Sequence, residues 1–445
     1  MTASRPAIHD KIPAYYGDVG NHVLRRLTMP HIHIRYRFDA RIDADRLARA
    51  LRLLADAEPV VGARLVPSFA FPYWRRFAPA ELDAYPWVVT KDARDEAEAD
   101  AIEHDYWIGD RDELANPQIS ALIVRAPGGD RLVLKSGHVV VDAGGSRELA
   151  LRVAEIYSAL ALDPRHVPAV NTGSRKLRQV YRGIGWRGFL AVLRRYTIEM
   201  RASVRPFRSV RLPRAGDGNG DAAYRLLRLD ESRVEAMRRA GAPMRATLND
   251  VLVAAALRAL AKLVPNPAPD AAYRLLGTVD LRRYLPGKRA GAPCNLSSFY
   301  WVHLGRDVGA TLADTIREVK RQVDHAKENH IGRPFLLGGY LSTLGSPHGV
   351  YSRITRKMLV WLWTSGNSPV ALTNMGEFAP VPQFDGLAPT EAEMMVPRGD
   401  ALVQVLGVSG YRGTLTVSCG FDAGALAPET VEAYLRAIDE EIGDG

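Results

Sequence analysis

A histidine and an aspartate lie four residues apart in the segment KSGHVVVDAGGS, at His138 and Asp142. A neutral imidazole can accept a proton near pH 7, because the ordinary pKa of histidine is about 6.5. The valines between the two residues are apolar, and the small residues AGG that follow leave room for another chain or a substrate. The spacing alone also fits a buried core histidine, so both interpretations stay open at this point.

Other candidates for chemistry are weaker. His303 and Asp307 have the same spacing, but His303 ends a strand and leads through a turn into a helix, where Asp307 is typical of a turn or cap residue. His325 and His330 lack the ligand pattern of a metal motif, so we predict no metal site. Ser136 lies outside any G-x-S-x-G elbow, and we expect no serine nucleophile.

The elements around His138 are predicted from local patterns. The runs QISALIVRA and DRLVLKS are joined by PGGD, which indicates a β-hairpin whose second strand leads into the histidine. SRELALRVAEIYSALAL then predicts an amphipathic helix. Upstream, His31–Phe38 alternates as a strand, and we expect His31 and His33 on its exposed face. IDADRLARALRLLADAEP predicts a helix with an aspartate cap.

Length and composition are those of a soluble globular protein. The chain has 445 residues, of which 47% are hydrophobic and 24% charged, with a formal net charge of +9 that favours anionic partners. Two cysteines cannot form a disulfide framework. No segment resembles a signal peptide or a membrane span. We therefore expect a cytoplasmic protein, with peripheral membrane contact as one option.

The chain divides at a basic, proline-rich and glycine-rich connection. We predict an N-terminal half at 1–174, a connecting segment at 175–221 and a C-terminal half at 222–445. Strands and helices mix in both halves, which indicates an α/β fold or α+β sandwich. Between Arg175 and Arg214, basic residues dominate and Glu199 is the only acid.

This basic segment contains an amphipathic helix with its apolar residues at helical spacing: Trp186, Phe189, Leu190, Leu193, Thr197 and Met200. Three interpretations are open. The helix packs on the body with its charges solvated, or 175–214 lies on an anionic membrane, or it attracts the phosphates of coenzyme A or an acidic carrier protein. The basic-aromatic segment at 356–366 is expected to pack in the core or line an acyl channel. Without a recognition motif, we expect no nucleic-acid partner.

GHVVVDAGGS resembles the HHxxxDG motif of the condensation-domain superfamily, which includes chloramphenicol acetyltransferase, plant acyl-CoA-dependent acyltransferases and peptide-synthetase condensation domains. ATLNDVLVAAALRAL, TVDLRRYLP with CNLSSFY, and LTNMGEF resemble further segments of these proteins, in the same order along nearly the whole chain. The resemblance implies two similar chloramphenicol acetyltransferase-like halves that form a central cleft. The sequence departs from the motif at Gly137, where the family has its first histidine, and at Ala143.

The resemblance also implies roles for individual residues. His138 would be the general base. Asp142 would form a salt bridge with Arg282, or with Arg283 as second choice, and Gly144 and Gly145 would belong to the same structural motif.

Polar residues elsewhere complete the implied site. Thr373, Asn374 and Asn295 are candidates for contacts with the oxyanion or substrate, because their hydroxyl and amide groups can donate hydrogen bonds.

The implied activity is transfer of an acyl group from acyl-CoA or a phosphopantetheine-bearing carrier protein to a small hydroxyl or amine acceptor, in natural-product or lipid-like metabolism. We expect no acyl-enzyme, no metal, no permanently bound cofactor and a monomeric protein. One alternative is a carrier-dependent, amide-forming condensation enzyme. Another is a catalytically silent binding or recruitment module.

Overall fold

The computed structural model describes residues 8–25, 31–109, 112–203, 208–218, 220–344, 347–396 and 404–443. The first part of the chain forms these elements: β1 (Lys11–Pro13), α1 (Tyr16–Leu24), β2 (His31–Arg37), α2 (Ala44–Ala57), β3 (Ala63–Val66), β4 (Tyr73–Arg76), α3 (Pro79–Asp83), β5 (Val88–Asp92), α4 (Glu96–Ile108), β6 (Ile119–Ala126), β7 (Gly129–Gly137) and α5 (Ala143–Leu162). The connecting segment forms α6 (Gly185–Ser203) and β8 (Arg208–Ser209).

The rest of the chain continues the alternation of strands and helices. Its elements are β9 (Ala222–Leu229), α7 (Glu231–Gly241), α8 (Leu248–Leu263), β10 (Ala271–Asp280), β11 (Ser297–Gly305), α9 (Leu312–Glu328), α10 (Arg333–Leu344), α11 (His348–Thr364), β12 (Val370–Glu377), β13 (Glu391–Met395), β14 (Val405–Tyr411), β15 (Thr414–Asp422) and α12 (Pro428–Gly443).

Several elements predicted from local patterns are confirmed. The hairpin is β6 and β7, and α5 follows the histidine. Helix α2 begins at Asp43, whose side chain accepts a hydrogen bond from the Arg46 N–H (3.0 Å). These elements were predictable because caps, turns and apolar periodicity act over a few residues.

Two large sheets form the body of a mixed α/β fold. One has five strands in the order β13-β2-β7-β6-β5. The other has seven, in the order β11-β10-β12-β14-β15-β9 with β8 beside β10. Strands β1, β4 and β3 form a third, small sheet whose residues Leu65 and Trp74 pack into the same core as β2.

Strand β13 connects the two parts of the chain. It lies late in the sequence but pairs antiparallel with β2 in the five-stranded sheet. Phe378, Phe384 and Tyr411 also belong to the hydrophobic core around β2 and α5. The division at 1–174, 175–221 and 222–445 stays a prediction, while this sheet and this core contain residues from both sides of it.

The prediction that His31 and His33 are exposed is wrong, because both side chains are buried. Alternation separated the two faces of β2 correctly, but β2 lies inside its sheet and α4 covers the second face. On that face, Arg35 pairs with Glu103 of α4 (2.9 Å) and Glu393 of β13 (2.7 Å). Burial lowers the pKa of His33 well below 6.5, so this ring stays neutral.

Candidate active site

His138 is the first residue after β7, where the strand turns toward α5. The N–H groups of Val140 and Val141 donate to the carbonyl oxygen of Gly137 at 3.1 and 3.3 Å, which closes the turn. Asp142 ends the turn and caps α5, since its Oδ1 accepts from the Gly145 N–H (2.8 Å). His138 is half-buried as a residue, whereas the three valines after it are fully buried. We call His138–Asp142 the histidine loop.

The surroundings of His138 favour its neutral form. Burial lowers the pKa of the ring below the ordinary 6.5, against the opposing effects of the loop backbone, Asp142 and Asn295. A neutral imidazole has a lone pair that can accept a proton. Nδ1 of the ring is buried and makes no hydrogen bond within the described part of the chain.

Asp142 and Arg282 form a buried salt bridge across the two parts of the chain. Arg282 Nη1 donates to both carboxylate oxygens, at 2.9 and 3.1 Å. Asp142 Oδ2 also accepts from the Leu296 N–H (2.6 Å) and the Ser297 hydroxyl (3.2 Å). Burial raises the pKa of Asp142, but Arg282 and the backbone donors outweigh it, so the pKa is lowered. The carboxylate is therefore ionised, and its oxygens point into this network.

Arg282 is itself surrounded by acceptors. Its Nη2 donates to the Cys294 carbonyl oxygen (2.9 Å), and its Nε donates to Glu148 (3.2 Å). Such full pairing offsets the cost of burying a charge. Arg283, the second candidate partner, is exposed, with its guanidinium 5.8 Å from the Tyr284 ring.

Gly144 and Gly145 leave the space that Arg282 occupies. A Cβ atom on Gly144 would lie 2.8 Å from Arg282 Nη1. On Gly145 it would lie 2.9 Å from Cβ of Val141. A side chain at either position would push the guanidinium or the loop out of place.

Arg175 is a site residue that sequence reasoning missed. Its guanidinium makes a bidentate pair with Asp18 at 2.8 and 3.0 Å, and Nη2 also donates to the Val140 carbonyl oxygen (3.2 Å). Its Nε donates to the Pro293 carbonyl oxygen (2.6 Å). No local signal distinguishes Arg175 from the solvated cations after it, because its partners are distant in sequence.

Asn295 holds the same loop from the C-terminal side. Its Nδ2 donates to the Val139 carbonyl oxygen (2.9 Å), and its side chain is buried. Asn295, Arg175 and Arg282 thus bind Val139, Val140 and Asp142, respectively. The backbone on which the imidazole sits is fixed by residues outside the sheet that carries it.

Thr373 and Asn374 lie on β12, which approaches α5. Arg147 of α5 donates to the carbonyl oxygens of Met375 (3.2 Å) and Glu377 (2.8 Å). The Thr373 hydroxyl accepts from Thr278 (3.1 Å). Their predicted contact with an oxyanion stays a prediction.

Asn374 belongs to a chain of polar side chains. Its Nδ2 donates to Asn249 (3.0 Å), whose own amide donates to the Tyr300 hydroxyl (3.0 Å). These bonds link the start of α8 to side chains of β11 and β12. Within the described part of the chain, no group of three His, Cys, Asp or Glu side chains could hold a metal ion.

The space that the family's first histidine would need beyond Gly137 is occupied by Gln118. The Gln118 Nε2 donates to the carbonyl oxygens of Ala63 (3.0 Å), Glu113 (2.9 Å) and Asn116 (3.0 Å). A Cβ atom on Gly137 would lie 2.5 Å from Gln118 Oε1. The departure from the motif is therefore accommodated by packing.

We expect Gly137→Ala to lower the free energy of unfolding by about 1–3 kcal/mol, as overpacking of a filled core does. Urea denaturation measures it. Gly20→Ala is the matched control, because nothing lies within 4 Å of its added Cβ and alanine is the better helix former. Equal stability of Gly137→Ala and the unsubstituted protein would contradict the packing argument.

Comparisons with known proteins agree on the fold. No protein-family model and no curated sequence matches the chain. The first condensation domain of the CDA synthetase is similar in structure, with a TM-score of 0.71, 17% identity, and coverage of 98% of this chain and 97% of that one. A trichothecene 15-O-acetyltransferase from Fusarium sporotrichioides has a TM-score of 0.71 at 12% identity, covering 99% and 97%.

A third similar structure is the starter condensation domain of rhizomide synthetase, a mutant in complex with C8-CoA and Leu-SNAC. Its TM-score is 0.68 at 14% identity, with coverage of 98% of this chain and 95% of that one. The chain therefore has the fold of condensation domains and chloramphenicol acetyltransferase-like acyltransferases.

Proposed function

We propose that this chain transfers an acyl group from a thioester to a hydroxyl or amine. It shares its fold with condensation domains and with an acetyltransferase. His138 acts as the general base. The observation that carries the proposal is a histidine whose pKa is lowered by burial, on a loop held by Arg282, Arg175 and Asn295. That rigidity is useful because proton transfer requires the base within hydrogen-bond reach of the attacking group.

The proposed reaction has one tetrahedral intermediate. Nε2 of His138 takes the proton of the acceptor while its oxygen or nitrogen attacks the thioester carbonyl carbon. The intermediate then expels the thiolate, which recovers the proton from the imidazolium. Thr373 and Asn374 are proposed to donate hydrogen bonds to the oxyanion or substrate.

We propose that no acyl-enzyme forms. Burial raises the pKa of the Cys294 thiol to about 12, so this sulfur is a poor nucleophile. The carbonyl oxygen of the same residue accepts a hydrogen bond from Arg282. Ser136 is buried within β7 and pairs with Ile32. Among the residues that the structure describes, no hydrogen bond joins either side chain to a base of the kind that activates a nucleophile.

The donor is either acyl-CoA or an acyl carrier protein, and the acceptor is a small molecule. The C8-CoA and Leu-SNAC in the rhizomide synthetase structure are both thioesters, which supports a thioester donor here. One alternative that keeps acyl transfer from a thioester is a carrier-dependent, amide-forming condensation enzyme. Another alternative is a catalytically silent module that only binds or recruits a partner.

We expect incubation with a panel of acyl-CoAs, acylated carrier proteins, and hydroxyl and amine acceptors to release free thiol and acylated acceptor. Intact-protein mass spectrometry should detect no stable acyl adduct at any donor concentration. An adduct that disappears when acceptor is added would contradict the direct mechanism. Binding without turnover across the panel would favour the recruitment module.

A further inference from the structure

The apolar stripe of α6 faces away from the protein body. Trp186 is 69% exposed and Leu190 is 51% exposed. The helix packs through its other side, where Val192 is buried and Tyr196 lies against Gly338 of α10. Helix α6 therefore packs on the body with its charges exposed, as the first interpretation has it, but Trp186 and Leu190 of the stripe do not take part in that packing. The side chain of Met200 lies outside the described ones.

Helix α11 repeats this arrangement. Ile354, Met358 and Trp361 follow helical spacing and are 61%, 47% and 57% exposed, respectively. Core packing, the first of the two expectations for 356–366, is wrong for Met358 and Trp361. The second, an acyl channel, stays a prediction, and the side chains at 362 and 363 lie outside the described ones. Helix α10 packs against both α6 and α11 and connects them.

An aromatic segment extends this surface beyond α11. Phe71 is 84% exposed, and Phe69 is also exposed. The N–H groups of His348 and Gly349 donate to the carbonyl oxygens of Ala70 (3.2 Å) and Phe69 (2.8 Å). We call the exposed side chains of α6, α10, α11 and segment 67–72 the helical surface.

The helical surface carries unpaired positive charge. Its cations include Arg187, Arg194, Arg353, Arg356 and Lys357, which are exposed and make no ion pair among the described residues. Acidic side chains are absent from α10 and α11 in the sequence, and the single one in α6, Glu199, binds Arg195 (2.8 Å).

We infer that the helical surface binds the face of an anionic lipid bilayer. Exposed tryptophan, phenylalanine and leucine beside arginine and lysine are the composition of helices that lie in a membrane interface. Anionic headgroups supply the charge that the surface lacks. A second copy of this chain would instead bring like charges together. Among the described residues, none of the helices combines the length and the apolar composition that a membrane span requires.

Vesicle flotation of the full chain tests this inference without using acyl transfer. We expect the protein to float with vesicles of phosphatidylcholine containing phosphatidylglycerol, and much less with phosphatidylcholine alone. Each cation near an anionic surface contributes roughly fivefold in affinity, so Arg187→Gln with Arg194→Gln should weaken binding by about 25-fold. Trp361→Ser should weaken binding to the anionic vesicles and leave the melting temperature unchanged.

Matched controls lie outside the helical surface. Arg239→Gln removes an exposed cation of α7, and Leu162→Ser removes an apolar side chain that is 88% exposed at the end of α5. Both should bind vesicles like the unsubstituted chain. Equal binding to neutral and anionic vesicles, no binding to either, or equal losses in the controls would overturn the inference. The inference would also be overturned if sedimentation showed a dimer of the unsubstituted chain that the Trp361→Ser substitution dissociates.

Discussion

Replacing His138 by alanine is expected to lower kcat/KM for acyl transfer by about 10²–10⁴-fold, the usual contribution of a general base. The imidazole is the only group of the histidine loop that we assign to proton transfer, and burial keeps its pKa below 6.5. The fold should survive, because Asp142 and the carbonyl oxygens of the loop keep their partners. Free-thiol release at saturating and limiting donor, together with thermal unfolding, measures both effects.

His303→Ala is the matched control for this substitution. His303 also precedes an aspartate by four residues, but its side chain is exposed and lies at the end of β11. Activity should stay within about twofold of the unsubstituted chain, as for most surface substitutions. If His138→Ala keeps full turnover while remaining folded, His138 is not the base.

The pH dependence of the reaction follows from the same environment. Because burial lowers the pKa of His138, the ring is neutral near pH 7 and kcat/KM should be level there. The rate should fall only as the pH drops through an apparent pKa below 6.5, where the ring gains a proton and loses its lone pair. In His138→Ala this acidic limb should disappear from the residual rate.

The lowered pKa also has a consequence for stability. Unfolding returns the ring to a pKa near 6.5, so below that pH the unfolded chain binds a proton that the folded chain does not. The contribution of His138 to stability is therefore present above about pH 6.5 and declines as the pH falls. A control titration of His138→Ala should lack this part of the decline.

Replacing Arg282 by alanine is expected to lower the free energy of unfolding by about 3–5 kcal/mol, as removal of one partner from a buried ion pair does. Asp142 would lose its main counter-charge while Leu296 and Gly145 still hold it in place. Activity should fall as well, because Asp142 anchors one end of the histidine loop. Urea denaturation and free-thiol release measure the two losses.

Arg283→Ala provides the matched control, since it removes a neighbouring guanidinium that is exposed. It should change stability by less than about 0.5 kcal/mol. Asp142→Asn should reproduce much of the loss from Arg282→Ala, and the double substitution should cost less than the sum of the two. The Asp142–Arg282 pairing would be contradicted if the stability losses of the two single substitutions added up in the double one. It would also be contradicted if the Arg282→Ala protein were as stable as the Arg283→Ala protein.

Local sequence was a good guide to the elements that carry the site. The hairpin, the helix after the histidine and the aspartate-capped α2 depend on periodicity, turns and caps, which act within a few residues. The resemblance to condensation domains also led to Arg282, which lies 2.9 Å from Asp142. That long-range pair did not follow from spacing.

Contacts between distant segments were beyond the reach of sequence patterns. Arg175 resembled the exposed cations after it, but Asp18 and Val140 surround it. His31 and His33 alternated as surface residues do, yet both are buried, and the Trp107 ring of α4 lies 6.5 Å from that of His33. Alternation reveals which side chains share a face, but burial depends on what is packed against that face.

From its residues alone, the chain could be assigned its mixed strands and helices, its histidine loop and its amphipathic basic helix. Which face of that helix packs on the body, and which residues hold the histidine loop, depended on the folded chain. An apolar stripe has the same spacing whether it meets a core or solvent, and an arginine has the same charge whether it is paired or free. Only the packing of segments far apart in sequence separates these cases.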